Sequence, residues 1–450
     1  MTTPQRTSRQ SADEVPLTLA EAPPKRLSGF DQAAFWGNLG VSLLGFGGAI
    51  AVLAPAGVPR LSPLAAALAA VVGTVLGSLA LAASTVPGAQ TGAPAMVLLR
   101  GLFGTRLSYV PTLLNVLQLV GWGTFELVII AQSAQSLFGG HGPRWAYVVG
   151  AGVLTTALTI RPLGTVRLLR RFAAVLVLAA LVFFAVVLLR HPLPSATSGS
   201  WRGFWLGADA ALAVAVSWVP LSADYSRHSR TPRAAFTGSF AAYAVTQSVT
   251  YLLGLLALAL VAGDPDRTFD PLVAAPVGAV FFGVLVLREL DQSFANVYST
   301  AVSIQNLRPL ADRRVLSGCI GVVTTGLALT VDISRYQSFL YLLGSVFVPM
   351  LAVLLASYFL GGGRHRWNVS ERAPARWSML VAWLLGFVVY QLVNPGAIAG
   401  WTSGWTQVQR WLHFTPRSWM SASVLSFVVA GVVATVLVRA GRLVAQSGHE

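Results

Sequence analysis

The 450-residue chain is 55% hydrophobic and only 10% charged, and it carries a formal net charge of +15. Its mean hydropathy is +0.66, whereas soluble proteins contain about 25% charged residues, so an ordinary soluble domain is excluded. The arginines lie between apolar segments and are not gathered in a basic domain, which argues against a nucleic-acid partner. The single cysteine, Cys319, excludes a disulfide framework and a thiolate metal cluster.

Apolar runs of roughly 20 residues, the length that crosses a bilayer as a helix, recur along the whole chain. The sequence therefore predicts an all-α polytopic membrane protein with twelve spans. Residues 1–27 are polar, contain proline and lack an apolar run, which predicts a disordered cytoplasmic tail and not a signal peptide. The spans, numbered 1 to 12 in chain order, are expected near 33–58, 62–86, 107–137, 144–160, 170–189, 204–222, 236–262, 274–305, 315–332, 337–361, 377–394 and 419–439.

Arginine is unevenly distributed between the loops on the two sides of these spans. The poorer side also contains the acidic cluster of Asp264, Asp266 and Asp270. Because positively charged loops stay in the cytoplasm, both termini are predicted to be cytoplasmic, with 441–450 as the C-terminal tail. The expected location is the inner (plasma) membrane.

Span 1 contains GNLGVSLLGFGG, a glycine density unusual for a helix. Each glycine weakens a helix by about 1 kcal/mol relative to alanine, and two interpretations stay open. The run around Gly45 and Gly48 either packs closely on neighbouring helices, or it unwinds and frees carbonyl groups toward a cavity.

Span 6 has a break signal of its own, Pro220, and begins a second set of five spans. Corresponding breaks in spans 1 and 6 are typical of transporters built from inverted repeats. The predicted organisation is a five-helix repeat at 28–190, an inverted repeat at 204–361 and two additional helices within 377–440.

Span 3 contains a row of polar residues on one helical face, since Asn115, Gln118, Trp122 and Glu126 are three or four positions apart. A carboxylate one turn from an indole suits a flat, hydrogen-bonding ligand, because the indole can stack on a ring while the carboxylate accepts from ring N–H groups. Glu126 could equally carry a proton or pair with a neighbouring helix.

Span 8 combines three ionisable residues with a polar stripe. Arg288 and Asp291 are spaced i,i+3, so they could form an ion pair. Lipid offers no polar partners, so such a stripe must face protein or a cavity, as a ligand site or as a structural network. Its residues are Glu289, Gln292, Ser293, Asn296, Ser299, Thr300 and Ser303.

Span 6 supplies further candidates. Asp224 and Arg227, beside Tyr225, could be anchors at the membrane surface, and Asp209 lies nearer the other end of the span. Ser217 and Trp218 lie inside the span, where Trp218 could give a second aromatic wall to a ring site or simply pack.

Enzymatic signatures are missing from the sequence. It contains no Walker A loop, H-E-x-x-H, G-x-S-x-G or dinucleotide fingerprint. We therefore expect a non-enzyme without a cofactor.

Four segments carry a family resemblance: GNLGVSLLGFGG in span 1, QLVGW in span 3, PLSADYSR in span 6 and NVYSTAVSIQN in span 8. They resemble nucleobase–cation symporter family 1, which includes bacterial cytosine, hydantoin and hydroxymethylpyrimidine permeases. The resemblance covers spans 1–8. It implies the leucine-transporter-like fold of two inverted five-helix repeats, working by alternating access.

The resemblance also implies roles for residues. The tryptophan on which the family stacks its heterocycle falls on Trp122, and a ring-contacting polar residue falls on Glu126. The span 6 aromatic of the family falls near Val214 and Ala215, which makes Trp218 a possible substitute. The sodium ligands fall on Gly45, Gly48, Asp291 and Gln292, where a carboxylate and an amide replace two hydroxyls.

The predicted function is therefore a symporter that imports a cytosine- or purine-like heterocycle coupled to Na⁺ or H⁺, functional as a monomer. An amino-acid carrier of the same fold, a channel and a non-transporting sensor are the alternatives. The predicted substrate-binding residues are Gln118, Trp122, Glu126, Ser217, Trp218, Glu289, Ser293 and Asn296.

Overall fold

The computed structural model describes residues 24–160, 164–308 and 310–447, and in these ranges all side chains except those of 164–174, Asp291, Phe294 and 443–447. The predicted disordered tail falls mostly outside this part of the chain. The predicted C-terminal tail is helical as far as Ser447. In chain order the α-helices are α1 (Gly29–Gly40), α2 (Leu43–Leu53), α3 (Pro63–Thr91), α4 (Ala95–Phe103), α5 (Tyr109–Leu137), α6 (Arg144–Ile160), α7 (Gly164–Leu189), α8 (Phe204–Ser217), α9 (Val219–Ser226), α10 (Pro232–Leu260), α11 (Asp270–Val273), α12 (Gly278–Leu307), α13 (Arg313–Ala328), α14 (Tyr336–Gly361), α15 (Trp377–Val393), α16 (Trp401–Trp411) and α17 (Ala422–Ser447).

These helices account for the twelve predicted spans. Span 1 is α1 with α2, bent by 46° at their junction, and span 6 is α8 with α9. The remaining spans are α3, α5, α6, α7, α10, α12, α13, α14, α15 and α17, and the short helices α4, α11 and α16 lie between spans. Large apolar side chains such as Val182 and Val432 are exposed on the outer helices, as expected for surfaces that face lipid.

The packing of the first ten spans is symmetric when spans 1 to 5 are matched in order with spans 6 to 10, so that span 1 corresponds to span 6. Span 1 packs on span 7, and span 2 packs on span 6; span 3 packs on span 8, and span 4 on span 9. Exchanging the matched spans turns the first of these contacts into the second and leaves the last two unchanged. The arrangement is the leucine-transporter-like fold expected from the sequence.

Spans 1 and 6 run in opposite directions, as the backbone hydrogen bonds at both ends show. Before span 1, the N–H of Leu27 donates to the carbonyl of His228 at 2.9 Å, and the N–H of Arg230 donates to the carbonyl of Leu27 at 2.8 Å. After span 1, the N–H of Ser62 donates to the carbonyl of Ser200 at 2.9 Å, just before span 6 begins. The start of each span therefore lies beside the end of the other, which is the inverted relationship.

The break in span 1 lies at Val41 and Ser42, whose backbones are both extended. Unwinding at the GFGG run is therefore wrong, since Gly45 and Gly48 lie inside α2. Both glycines allow close helix packing: a Cβ on Gly45 would lie 2.7 Å from Cγ2 of Thr250, and one on Gly48 would lie 2.6 Å from the ring of Tyr336. Close packing is the interpretation that holds.

The break in span 6 has a local cause. Pro220 is the second residue of α9, and α8 ends at Ser217, so that Trp218 alone separates the two helices. Proline lacks an N–H donor and collides with the preceding turn. An interruption is present at the predicted place, but it is one residue long and Trp218 keeps helical dihedral angles, so α8 and α9 together form a span of 23 residues.

Candidate functional site

The polar row of α5 is fixed to two other spans. The amide of Asn115 donates to the hydroxyl of Ser303 on α12 at 2.8 Å. The amide of Gln118 donates to Oδ1 of Asn115 at 2.8 Å and to the backbone carbonyl of Ser217, at the span 6 break, at 3.0 Å. Spans 3, 6 and 8 therefore meet at this row, where Gln118 contacts the backbone of Ser217.

Glu126 lies one turn beyond Trp122, with none of its surface exposed. Neither of its carboxylate oxygens has a hydrogen-bond partner among the described residues. The side chains of Ser293 and Asn296 lie close enough to interact with its carboxylate, although neither makes a hydrogen bond of good geometry to it. Both polar atoms of the Asn296 amide are also buried without a partner in the described part of the chain. A buried polar group without a partner costs free energy, so these atoms are suited to a ligand.

Trp122 is 5% exposed, and its ring contacts two aromatic rings of α14. The ring centroids of Trp122 and Tyr336 are 5.9 Å apart, and those of Trp122 and Phe339 are 5.4 Å apart, both with the planes near 74°. Phe125 contacts the same two rings. These edge-type contacts hold the indole in a fixed orientation, while its N–H has no partner among the described residues.

The resulting group is called the span 3–span 8 cluster. Each member has at least one buried polar atom without a hydrogen-bond partner in the described part of the chain, and the members are Gln118, Trp122, Glu126, Asn296 and Tyr336. Sequence reasoning missed the aromatic wall of α14. A signal was present, because Tyr336 and Phe339 are spaced i,i+3 at the very start of span 10.

Trp218 has no ring contact with Trp122 among the described side chains, and its indole interacts with Tyr243 on α10. The rings beside Trp122 are those of α14. The role of Trp218 as a second aromatic wall stays a prediction.

A second polar group, called the span 1–span 8 junction, lies at the break in span 1. Glu289 accepts hydrogen bonds from the hydroxyl of Ser42 at 2.7 Å and from the N–H of Leu43 at 3.1 Å. Arg288 donates to the backbone carbonyl of Asn38, to Oδ1 of Asn38 at 3.2 Å and to the side-chain carbonyl of Gln292. Glu289 and Gln292 therefore serve this junction. The pairing expected between Arg288 and Asp291 involves a side chain outside the described ones.

The remaining acidic residues of span 6 cap helices. Asp224 accepts from the N–H of Ala95, the first residue of α4, at 2.9 Å. Asp209 accepts from the Ser421 hydroxyl at 2.6 Å and from the N–H of Ala422, the first residue of α17, at 2.8 Å. Because both carboxylates are buried and lie at helix N-termini, their role is structural. Asp224, a possible anchor at the membrane surface by sequence, is buried and caps α4.

The fold resembles several solved transporters. Mhp1, a nucleobase-cation-symport-1 family transporter in a closed conformation with bromovinylhydantoin bound, matches with a TM-score of 0.72 and 18% identity, covering 96% of this chain and 97% of Mhp1. Inward-facing Mhp1 matches with a TM-score of 0.69 and 16% identity over 97% and 95% of the two chains. A Na⁺-coupled sialic acid symporter matches with a TM-score of 0.58 and 12% identity over 94% and 92%.

Sequence comparison points the same way. A Bacillus subtilis (strain 168) protein described as a purine-cytosine permease, YxlA, is 23% identical over 315 residues, which are 65% of this chain and 68% of that protein. The model of a family described as permeases for cytosine/purines, uracil, thiamine and allantoin matches residues 34–373. The resemblance drawn from the sequence is confirmed, together with the expectation of a transporter and not an enzyme. The chain therefore belongs to the family of membrane permeases for cytosine and purines, uracil, thiamine and allantoin.

Proposed function

We propose that this permease imports a planar nitrogen heterocycle of the cytosine or purine type by alternating access, coupled to a cation gradient. The observation that carries the proposal is the span 3–span 8 cluster, in which buried polar atoms without partners in the described part of the chain lie near a fixed indole. The description of YxlA as a purine-cytosine permease and the bromovinylhydantoin bound to Mhp1 support a ligand of this class.

The cluster offers hydrogen bonds that match a nucleobase edge. The Asn296 amide presents one donor and one acceptor side by side, and an asparagine amide can pair with a base edge through both. Gln118 contributes a free carbonyl oxygen, and the Glu126 carboxylate accepts from ring N–H groups. A heterocycle lying against Trp122 would satisfy these atoms together, with Ser293 at the rim beside Glu126.

An amino-acid substrate suits the site less well. In carriers of this architecture, half-helix N-termini point at the anionic group of the substrate. Here the N-terminus of α2 is capped by Ser42 and Glu289, and the C-terminal end of α1 is bonded by Arg288. Neither end of the break is open to the carboxylate or ammonium group of an amino acid.

The proposal also covers the membrane in which the protein is located and its oligomeric state. The arginine-rich loops support an inner-membrane protein with both termini in the cytoplasm. Each of the two repeats, 28–190 and 204–361, would supply helices to both groups that move around the site, with spans 1 and 6 moving together relative to spans 3 and 8, and 377–440 would add two further helices. A single chain supplies every residue of the cluster, so a monomer suffices.

The first experiment measures binding to the purified protein in detergent. Thermal shift and calorimetry are run with cytosine, uracil, adenine, hypoxanthine, hydantoin and allantoin, and with leucine and proline as amino-acid competitors. We expect at least one heterocycle and neither amino acid to bind. Trp122→Ala and Glu126→Ala should each weaken the binding at least tenfold, since each removes a direct contact.

Matched controls are available on the surface. Trp145 on α6 is 62% exposed, and Glu371 lies in an exposed loop, so Trp145→Ala and Glu371→Ala should bind as the wild type does. In proteoliposomes, uptake of the radiolabelled binding compound should exceed equilibrium and collapse when ionophores remove the gradients. Unchanged binding in Trp122→Ala would overturn the site, and uptake that only equilibrates would indicate a channel. Binding without any flux would indicate a sensor.

A further inference from the structure

The span 1–span 8 junction places two opposite charges at the two ends of one helix break. Arg288 and Glu289 are consecutive residues of α12, and they are 4% and 1% exposed. The guanidinium donates to the carbonyl of Asn38 near the C-terminal end of α1. The carboxylate accepts from Ser42 and Leu43 at the N-terminal end of α2.

The signs of these charges match the helix ends that they contact. The C-terminal end of a helix carries a partial negative charge and the N-terminal end a partial positive charge. The arginine therefore neutralises the end of α1, and the glutamate neutralises the start of α2. The two side chains also contact each other, with Nη1 of Arg288 3.3 Å from Oε2 of Glu289.

The oxygens that Arg288 contacts are those that a coupling cation would need. In transporters with broken helices, freed backbone carbonyls and half-helix C-terminal ends coordinate the cation. In this protein the carbonyl of Asn38, which also accepts from the N–H of Val41 at 3.3 Å, its side-chain oxygen and the side-chain oxygen of Gln292 all accept from the same guanidinium. A metal cation in contact with these oxygens would be repelled by the guanidinium, because charges separated by a few ångströms interact strongly away from water.

We propose that the Arg288 guanidinium is a tethered cation that takes the place of Na⁺ between the break in span 1 and span 8, so that this permease does not bind Na⁺ there. The inference rests on the proposed function only where it concerns coupling. The chain supplies the positive charge itself, which holds α1 and α12 together without an ion from solution. Na⁺ bound at this junction then cannot drive transport.

The test uses Na⁺ itself as the probe, without any heterocycle, so that it is independent of the proposed substrate. Thermal unfolding of the purified protein is measured in NaCl, KCl and choline chloride at equal ionic strength. The unfolding temperature of the wild type should be the same in all three salts, and so should that of Arg288→Lys. Arg288→Ala frees the oxygens of Asn38, Gln292 and Glu289, and should gain a saturable, Na⁺-specific rise of several degrees.

Direct binding of radioactive Na⁺ is measured on the wild type, so this result does not depend on whether a variant folds. We expect no saturable binding, and saturable binding would overturn the proposal. A well-folded Arg288→Ala protein that does not distinguish Na⁺ from K⁺ would also overturn it. If no heterocycle binds, the proposed function is contradicted but the Na⁺ results remain valid. Failure of the proposed function can therefore be distinguished from failure of this inference.

Discussion

The hydroxyl of Ser42 donates a 2.7 Å hydrogen bond to Oε1 of Glu289 and at the same time accepts one from the N–H of Leu44 at 3.1 Å. One small side chain therefore caps α2 and joins it to α12. We expect Ser42→Ala to lower the free energy of unfolding by about 1–2 kcal/mol, because a helix cap and a charge-assisted hydrogen bond are lost together. Thermal denaturation in detergent measures this change.

Ser28 provides the matched control for this prediction. It caps α1 in the same way, but it bonds the exposed residue Asp31. Ser28→Ala should therefore destabilise less than Ser42→Ala. Equal losses of stability in the two variants would show that the bond to Glu289 contributes nothing beyond the cap.

Asn296→Leu should abolish heterocycle binding without lowering the stability of the free protein. Both polar atoms of the amide are buried and lack partners in the described part of the chain, so replacing it by an apolar group of similar size removes an unfavourable burial. Residues kept for function often lower the stability of the folded protein, so replacing one of them can remove binding without lowering the unfolding temperature. Unfolding temperature and binding affinity are measured on the same preparation.

Asn115 offers the same substitution with the opposite expectation. Its amide donates to Ser303 at 2.8 Å and accepts from Gln118 at 2.8 Å. Asn115→Leu should therefore destabilise the protein by about 1–3 kcal/mol, because partners are left unpaired. If Asn296→Leu is destabilised as much as Asn115→Leu, Asn296 has a structural role.

Gly45→Ala should reduce both stability and transport, and Thr250→Ser should restore them. The added Cβ would lie 2.7 Å from Cγ2 of Thr250, an overpacking that costs about 1–3 kcal/mol. Serine lacks that methyl group but keeps the hydroxyl that donates to the carbonyl of Gly40. A double-mutant cycle on unfolding temperature measures the coupling. Additive effects of the two substitutions would contradict the contact.

His228, just beyond the end of span 6, should make the protein less stable in mild acid. Burial, together with the neighbouring Arg227 guanidinium, lowers the pKa of His228 to about 4. The ring accepts from Nε of Arg227 and contacts the carbonyl of Pro24 through Nδ1, so the neutral form with the proton on Nδ1 fits both partners. As the pH falls below the ordinary value of about 6.5, the unfolded chain binds a proton that the folded chain takes up only near pH 4.

The contribution of His228 to stability is thus fully present above pH 6.5 and is lost between about pH 6.5 and about pH 4. Unfolding temperatures measured across that range should fall less steeply in His228→Gln than in the wild type. His141 is exposed, and His141→Gln should keep the wild-type slope. Parallel curves for the wild type and His228→Gln would contradict the prediction.

Much of the fold could be predicted from the sequence because the bilayer imposes a simple length rule. All twelve spans appeared as apolar runs, and Pro220 marked the break in span 6 through its own backbone chemistry. The polar face of span 3 followed from helical spacing alone. In each case the cause lies within one helix, where sequence patterns are informative.

The break in span 1 could not be placed in the same way. Glycine content favoured GFGG, yet the partners that stabilise the break at Val41 and Ser42 lie on span 8, about half the chain away. The contact of Arg288 with Asn38 and the ring of Tyr336 beside Trp122 also join distant segments. Such pairs depend on tertiary packing, for which a single sequence contains no periodic signal.

The backbone bridges at both ends of spans 1 and 6 have a consequence for the energy of each transport cycle. Main-chain hydrogen bonds tie the two spans together at Leu27 with Ser229 and at Leu61 with Ser200. We expect spans 1 and 6 to move together as one rigid body during the transport cycle. Spans 3 and 8 meet it through side chains such as Gln118 and Glu289. The free-energy barrier between the inward and outward states would then depend on the few side-chain hydrogen bonds that join spans 1 and 6 to spans 3 and 8. These bonds can break and re-form while the backbone hydrogen bonds between spans 1 and 6 stay intact.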